Sequence, residues 1–161
     1  MKTYILTVSK TFPKYHKRAG QPTEFLKKIS SVLIEKNECN LPKIHTIRAN
    51  YALWKKRIEE VKKGNAIIKI VTWSGRPYHS KQEAFYPLSF RDNVDIQKLE
   101  FYEDKDNVPS IKYPLVDNIS QQIIETIAEN DGLEYKDFKE WFKNYNLSEP
   151  MAIIHFTNFR Y

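Results

Sequence analysis

Sulfur is nearly missing from this chain: 161 residues include one cysteine, Cys39, and two methionines. A lone thiol excludes an internal disulfide and leaves too little sulfur for a zinc knuckle, so the expected setting is a reducing one, the cytoplasm. Glycine-loop and catalytic signatures are missing too. No GxGxxG, Walker-type loop, HExxH or GxSxG is present, which removes the main support for dinucleotide, P-loop, zincin and hydrolase-elbow readings. The four histidines, His16, His45, His79 and His155, are scattered without an i, i+4 pair, so neither a metal nor a cofactor is expected. No apolar run is long enough for a membrane span, and the first ten residues return to charge too soon for a signal peptide. Nothing repeats, and no stretch resembles a linker.

What is present suits one domain over residues 1–161. The chain is 41% hydrophobic, with aromatics spread throughout, and 29% charged, a balance that builds a core without tending to disorder. Charge is uneven along it. Residues 1–80 hold 17 Lys/Arg against 5 Glu, a net of +12, and residues 81–161 hold 9 against 15, a net of −6. The basic half either steers phosphate-bearing partners or folds against the acidic half and cancels it.

The opening residues read as a strand. Thr11 to Gly20 form a basic, aromatic loop that is a connector or a nucleic-acid contact. Periodicity predicts a helix over 23–37, capped by Thr23, with Phe25, Leu26, Ile29, Val32 and Leu33 inward. A second helix over 51–63 turns Leu53, Trp54, Ile58 and Val61 inward and Lys55, Lys56 and Arg57 outward, and Gly64 ends it. The β-branched run 65–73 predicts a strand buried on both faces. Arg76-Pro77-Tyr78-His79-Ser80-Lys81 is a polar, aromatic loop able to reach over a cleft. Strands are expected over 84–90 and 96–102, then a solvated acidic loop at 103–107. A helix opens at Asp117 or Asn118, runs through Ile119, Ile123, Ile124 and Ile127, and closes at Gly132. A second carries the stripe Phe138, Trp141, Phe142 and Tyr145, read as core, and a last strand covers 152–156.

The organising segment is Lys43-Ile44-His45-Thr46-Ile47-Arg48. As a regular strand it would put Thr46 and Arg48 on one face and Lys43 on the other. A bend at Lys43, made plausible by Pro42, brings amine, hydroxyl and guanidinium together.

This segment resembles the Lys-x-x-Thr-x-Arg signature of the ASCH family, small β-barrel domains of the PUA-like class. The resemblance covers residues 40–75 and 118–158 and takes in Gly64 before a buried strand, the turn Glu129-Asn130-Asp131-Gly132, the aromatic helix and the last strand. It implies an α+β fold built on a mixed, partly closed β-barrel with surrounding helices. The N-terminal extension, to about residue 22, and the enlarged region 76–112 are departures from the minimal family member. The family is thought to bind RNA. One branch removes the acetyl group of acetylcytidine with a lysine, a threonine and a glutamate; Lys43 and Thr46 match the first two, and the acid position falls on Asp131, one methylene shorter.

On that reading Thr46 is the nucleophile, Lys43, when neutral, its base, and Asp131 orients the amine or protonates the leaving nitrogen. Burial and Arg48 would both disfavour the lysine ammonium. The same residues also make a non-catalytic pocket, with Lys43 and Arg48 for a phosphate or carbonyl, Thr46 for a base edge, Trp73 or Tyr78 for stacking and Arg76 beside them. Taken singly, Thr46 reads as an ordinary strand residue, Lys43 as a solvated side chain and Arg48 as the partner of a surface acid. His45 reads as structural, and Glu129 stands in for Asp131 if the turn is shifted. Three functions follow: an RNA or modified-nucleoside binder, an amidohydrolase of N-acylated cytidine, or a protein-interaction domain. Oligomeric state stays open.

Overall fold

The computed structural model describes residues 1–120 and 123–161. Its described elements run β1 (Lys2–Thr7), α1 (Phe25–Ser30), β2 (His45–Arg48), α2 (Tyr51–Lys62), β3 (Ala66–Trp73), β4 (Gln82–Leu88), β5 (Asp95–Glu103), β6 (Pro109–Val116), α3 (Ile124–Asn130), α4 (Tyr135–Phe142) and β7 (Met151–His155). Among the described residues the result is a mixed α+β fold with two sheets and four α-helices.

The apolar run of β3 takes the centre of the first sheet, between β1, which is parallel to it, and β4, which is antiparallel. Ala66, Ile68 and Ile70 are buried on one face, while Ile67 and Lys69 on the other are only half covered, so the strand is not fully buried on both sides as expected. The second sheet is antiparallel throughout, in the order β2-β7-β5-β6. Among the described strands β1 and β2 are therefore edge strands of different sheets. The Arg48 guanidinium bridges those edges by donating Nη2–H to the Thr7 carbonyl. Helix α2 covers the core with Trp54, Ile58 and Val61, and Asn50 caps it by accepting the Leu53 N–H at 3.1 Å.

Several expectations need correction. The helix over 23–37 is regular only to Ser30 and continues as a π-helical turn, Ser31–Glu35, stopped by Lys36 in the left-handed region at φ 50°. Leu53 is exposed. Strand β4 covers Gln82–Leu88 rather than 84–90; it ends early because the Asp92 carboxylate accepts the Ser89 N–H at 2.7 Å and its hydroxyl at 2.8 Å, turning the chain there. Strand β6 had no sequence signal, since Pro109 and Pro114 argue against a strand; an edge position tolerates them.

The helix expected from Asp117 or Asn118 begins at Ile124 instead. Both earlier residues are left-handed, at φ 48° and 66°, and Asp117 instead accepts the Lys98 N–H at 2.8 Å. Ile119 and Ile123 are exposed rather than core, and positions 121 and 122 of that expected helix lie outside the described residues. The loop after β1 is more than a connector: Phe12 and His16 are both 3% exposed. It is tied to α4 by Arg18 donating to Asp137 Oδ2 at 2.6 Å and by the Tyr15 hydroxyl donating to the Trp141 carbonyl at 2.6 Å. Among the described residues no helix is long and apolar enough to cross a membrane.

Candidate functional site

The bend falls at Leu41, two residues before the expected Lys43; Leu41 takes φ 51° just before Pro42. Lys43 then forms a lone β-bridge with Asp131, flanked by the Ile44 N–H donating to the Asn130 carbonyl and the Phe156 N–H to the Ile44 carbonyl, both at 3.0 Å. Regular pairing with β7 follows from His45. Asp131 arrives from the far end of the chain because α3 stops there and Gly132 turns the backbone at φ 81°. A Cβ on Gly132 would lie 3.2 Å from Lys43 Cβ and 3.3 Å from Lys28 Cδ, so close passage as well as φ calls for glycine.

These constraints bury an ion pair. Lys43 Nζ donates to Asp131 Oδ1 at 2.6 Å and to the Asp131 carbonyl at 2.8 Å, with the two side chains 2% and 5% exposed. The ammonium also sits 4.2 Å from the centre of the Phe25 ring. Burial pulls the Lys43 pKa down to about 8; the charge of Asp131 resists this, while Arg48 and Lys28 add to it. Burial pushes Asp131 up, but Lys43 and His45 more than offset that and hold it below the ordinary carboxylate value. Near neutrality the pair is therefore ionised, with a minority of neutral amine.

Thr46 is buried. Arg48 is half-buried, its guanidinium spent on the carbonyls of Thr7 and, at 3.0 Å, Ile47. Lys43, Thr46, Arg48 and Asp131 line one hollow together with Val8, Ser9, Phe25, Trp141 and Phe142. Its volume is about 20 Å³, room for about one water.

Val8 and Ser9 also line a second, much larger cavity, a groove of about 720 Å³. Lys10, Phe12, Lys14, Trp73 and Arg76 line it as well; no carboxylate is in the lining, but Lys10 Nζ donates to Glu83 Oε2 beside it at 2.9 Å. Tyr78 is not part of the lining; it leans on Trp73 at the rim, ring centres 5.3 Å apart, and is 87% exposed with φ 63°. An aromatic residue in that backbone region is strained and is held there by its loop, in which the Ser80 hydroxyl accepts the Gly75 N–H at 3.0 Å and donates to the Arg76 carbonyl at 2.8 Å. Another cavity, of about 490 Å³, lies at the start of α2 beside Tyr51, Tyr145 and Glu149. Its acid makes it a poorer match for phosphate.

The sequence-derived residues thus divide into two groups: Lys43, Thr46, Arg48 and Asp131 around the hollow, and Trp73 and Arg76 in the groove with Tyr78 at its rim. Glu129 is exposed and stands apart from Asp131's role. Sequence reasoning missed Val8 and Ser9, the hinge between the cavities, for which no pattern signals. Phe25, Trp141 and Phe142 read as core in the sequence; Phe25 and Phe142 are buried, Trp141 is only partly so, and all three wall the hollow. Among the described residues no group of three acidic, histidine or cysteine side chains could hold a metal. No family model matches the chain, and neither a curated protein nor a solved structure matches it.

Proposed function

We propose that the chain binds single-stranded RNA, or a modified nucleoside within it, as an ASCH-like domain of the PUA-like class in the cytoplasm. On this reading the two sheets are halves of a partly closed barrel whose open seam, between β1 and β2, is the binding cleft. The observation that carries it is the sharing of Val8 and Ser9 by a basic groove of about 720 Å³ and a polar hollow lined by Lys43, Thr46, Arg48 and Asp131. A groove of that volume is in the usual range for a small ligand, ~300–1,000 Å³. A backbone lying along it would meet Lys10, Lys14 and Arg76, a base would stack on Trp73, and one edge of the neighbouring base would face the hollow. The hollow admits only a small group, which sets it up to read a substituent rather than a whole ring.

The lowered Lys43 pKa, about 8, favours a second reading, hydrolysis of an N-acylated cytidine. A neutral Lys43 would take the Thr46 proton as the hydroxyl attacks the amide carbonyl; the ammonium so formed, held by Asp131, would return that proton to the leaving nitrogen as the C–N bond breaks, and water would then cleave the threonyl ester to acetate. As it stands Lys43 bonds to Asp131 rather than to Thr46, so binding ranks first.

Fluorescence anisotropy of a labelled mixed-sequence oligoribonucleotide tests the binder. Expected is an affinity that falls steeply with salt, survives Thr46→Ala and is lost with Arg76→Ala plus Trp73→Ala. Salt-independent binding, or none, refutes it. Acetate release from acetylcytidine that disappears in Thr46→Ala would establish the hydrolase instead.

A further inference from the structure

Behind the ion pair runs a buried polar chain that the proposed function leaves unused. His45 is fully buried, and its Nε2 stands 2.7 Å from the Tyr161 hydroxyl. That hydroxyl accepts an N–H from Asn130 Nδ2 at 3.0 Å. Tyr161 is gripped at both backbone groups by one side chain: its N–H donates to Gln97 Oε1 at 2.9 Å, and its carbonyl accepts from Gln97 Nε2 at 3.3 Å.

Donor and acceptor inventory, with the Asp131 carboxylate on the Nδ1 side, points to one arrangement of the protons. The Asn130 amide nitrogen can only donate, so the Tyr161 oxygen accepts from it and has its own proton free for His45 Nε2. His45 then carries its proton on Nδ1. This Nδ1 is buried, has no hydrogen-bond partner among the described residues, and lies 3.7 Å from Asp131 Oδ1, too far for a hydrogen bond and near enough to become one after a shift of under about 1 Å. A buried donor left unpaired calls for an explanation.

Resting on the reading of the hollow as a ligand site, we propose that His45 is a reserve hydrogen-bond donor to Asp131, with Tyr161 its positioning residue. When a ligand draws the Lys43 amine away, or the amine loses its proton, the carboxylate turns onto His45 Nδ1–H and stays satisfied. Lys43 is thereby free to serve the ligand without stranding a buried charge.

The groups facing these side chains agree with this. Lys43 faces Asp131 at the end of α3, Arg48 and His45 on β2, and Lys28 on α1. His45 faces His155 on β7, ring centres 5.5 Å apart, and His155 in turn faces Arg160 and Asp95. Burial lowers the pKa of both imidazoles, that of His155 to about 3. Neither is a rival cation near neutrality. The Nδ1–H dipole shares the carboxylate's charge and so loosens its hold on the ammonium. Removing the dipole, or letting His45 flip its proton to Nε2, tightens that hold.

Lysine side-chain NMR on the labelled full chain tests this, with the Lys43 signal assigned by its loss in Lys43→Met. In Tyr161→Phe the Lys43 titration should move up by about half a unit or more. Tyr135→Phe, which removes another buried tyrosine hydroxyl without a described partner, should leave it in place. An unmoved titration in a folded Tyr161→Phe overturns the proposal. Histidine nitrogen shifts of the unaltered protein give a check that needs no variant: the expected His45 is protonated on Nδ1 and bare on Nε2, and the opposite tautomer overturns it. Both readouts are taken without RNA, so failure of oligoribonucleotide binding refutes the ligand reading separately.

Discussion

Cutting the Lys43–Asp131 pair one partner at a time should be far more damaging than replacing both. The two side chains are almost wholly buried and 2.6 Å apart, so removing either one leaves the other's charge without its counter-ion beside a wall of Phe25, Ile47 and Phe142; a hydrogen bond from His45 Nδ1–H to Asp131 supplies no opposite charge. The stranded group can neutralise itself, which caps the cost. Protonating an aspartate of ordinary pKa near 3.9 at pH 7 costs about 4 kcal/mol, and deprotonating a lysine near 10.4 costs about 4.6. Those ceilings agree with the ~3–5 kcal/mol typical of broken buried pairs. Lys43→Met and Asp131→Asn should therefore each lose roughly 3–4 kcal/mol in urea denaturation, with unchanged m-values.

The double variant Lys43→Met/Asp131→Leu, which fills the hollow with carbon, should lie within about 1 kcal/mol of the parent or above it. It should bind no oligoribonucleotide. The pH dependence separates the singles. Lys43→Met has a carboxylate with a raised pKa, so its folded form binds extra protons and its deficit shrinks on acidification. In Asp131→Asn the lysine pKa is lowered further, so its deficit shrinks as pH rises. Single variants each costing under about 1 kcal/mol, or a double variant as weak as the two costs added, would refute the claim that the pair is a desolvated unit.

In the unaltered protein, stability should rise between about pH 8, where Lys43 titrates in the fold, and its unfolded value near 10.4, because the unfolded chain binds the extra proton in that window. It should fall on acidification below the unfolded Asp131 value, since that group's folded pKa is depressed; a denaturant series at several pH values measures both. Gly132→Ala should destabilise by roughly 1–3 kcal/mol, being forced into φ 81° with its Cβ against Lys43, and thermal melts read this directly. Trp73→Ala should weaken oligoribonucleotide binding about 5- to 150-fold, the ~1–3 kcal/mol of one stacked base, with little change in melting temperature. Lys14→Ala and Arg76→Ala should each lower the salt slope by about 0.7, read by anisotropy at several salt concentrations.

The sequence was most legible where periodicity and burial coincide. The run ending at Trp73, the Trp54/Ile58/Val61 stripe and the helix of Phe138 and Phe142 all lie close to where their patterns place them. Legibility failed where a side chain overrules local preference. Asp117 and Asp92 use their carboxylates to hold backbone N–H groups and so end or forestall regular structure, and nothing in a helical pattern foretells it. Strand β6 was hidden by its prolines. At the site, the bend before Lys43 could be argued from Pro42, and Asp131 came through a family resemblance rather than through spacing. The wall supplied by Val8 and Ser9 depends on which sheet edges meet, and that is a tertiary fact. His45 was read as structural because nothing local links it to Tyr161 or to the carboxylate behind which it lies.

The order of strands has a consequence for synthesis. Strand β2 pairs with β7 alone among the described strands, and Lys43 meets its carboxylate across 88 residues of chain. While the ribosome is still working, strand β2 therefore has no strand to pair with, and an unpaired edge with an apolar side invites wrong pairings. The second sheet is completed only with the last strand, so a polypeptide cut short before Met151 should hold every residue that lines the hollow yet emerge with β2 unpaired, and it would look to the cell's quality control like an aggregation hazard.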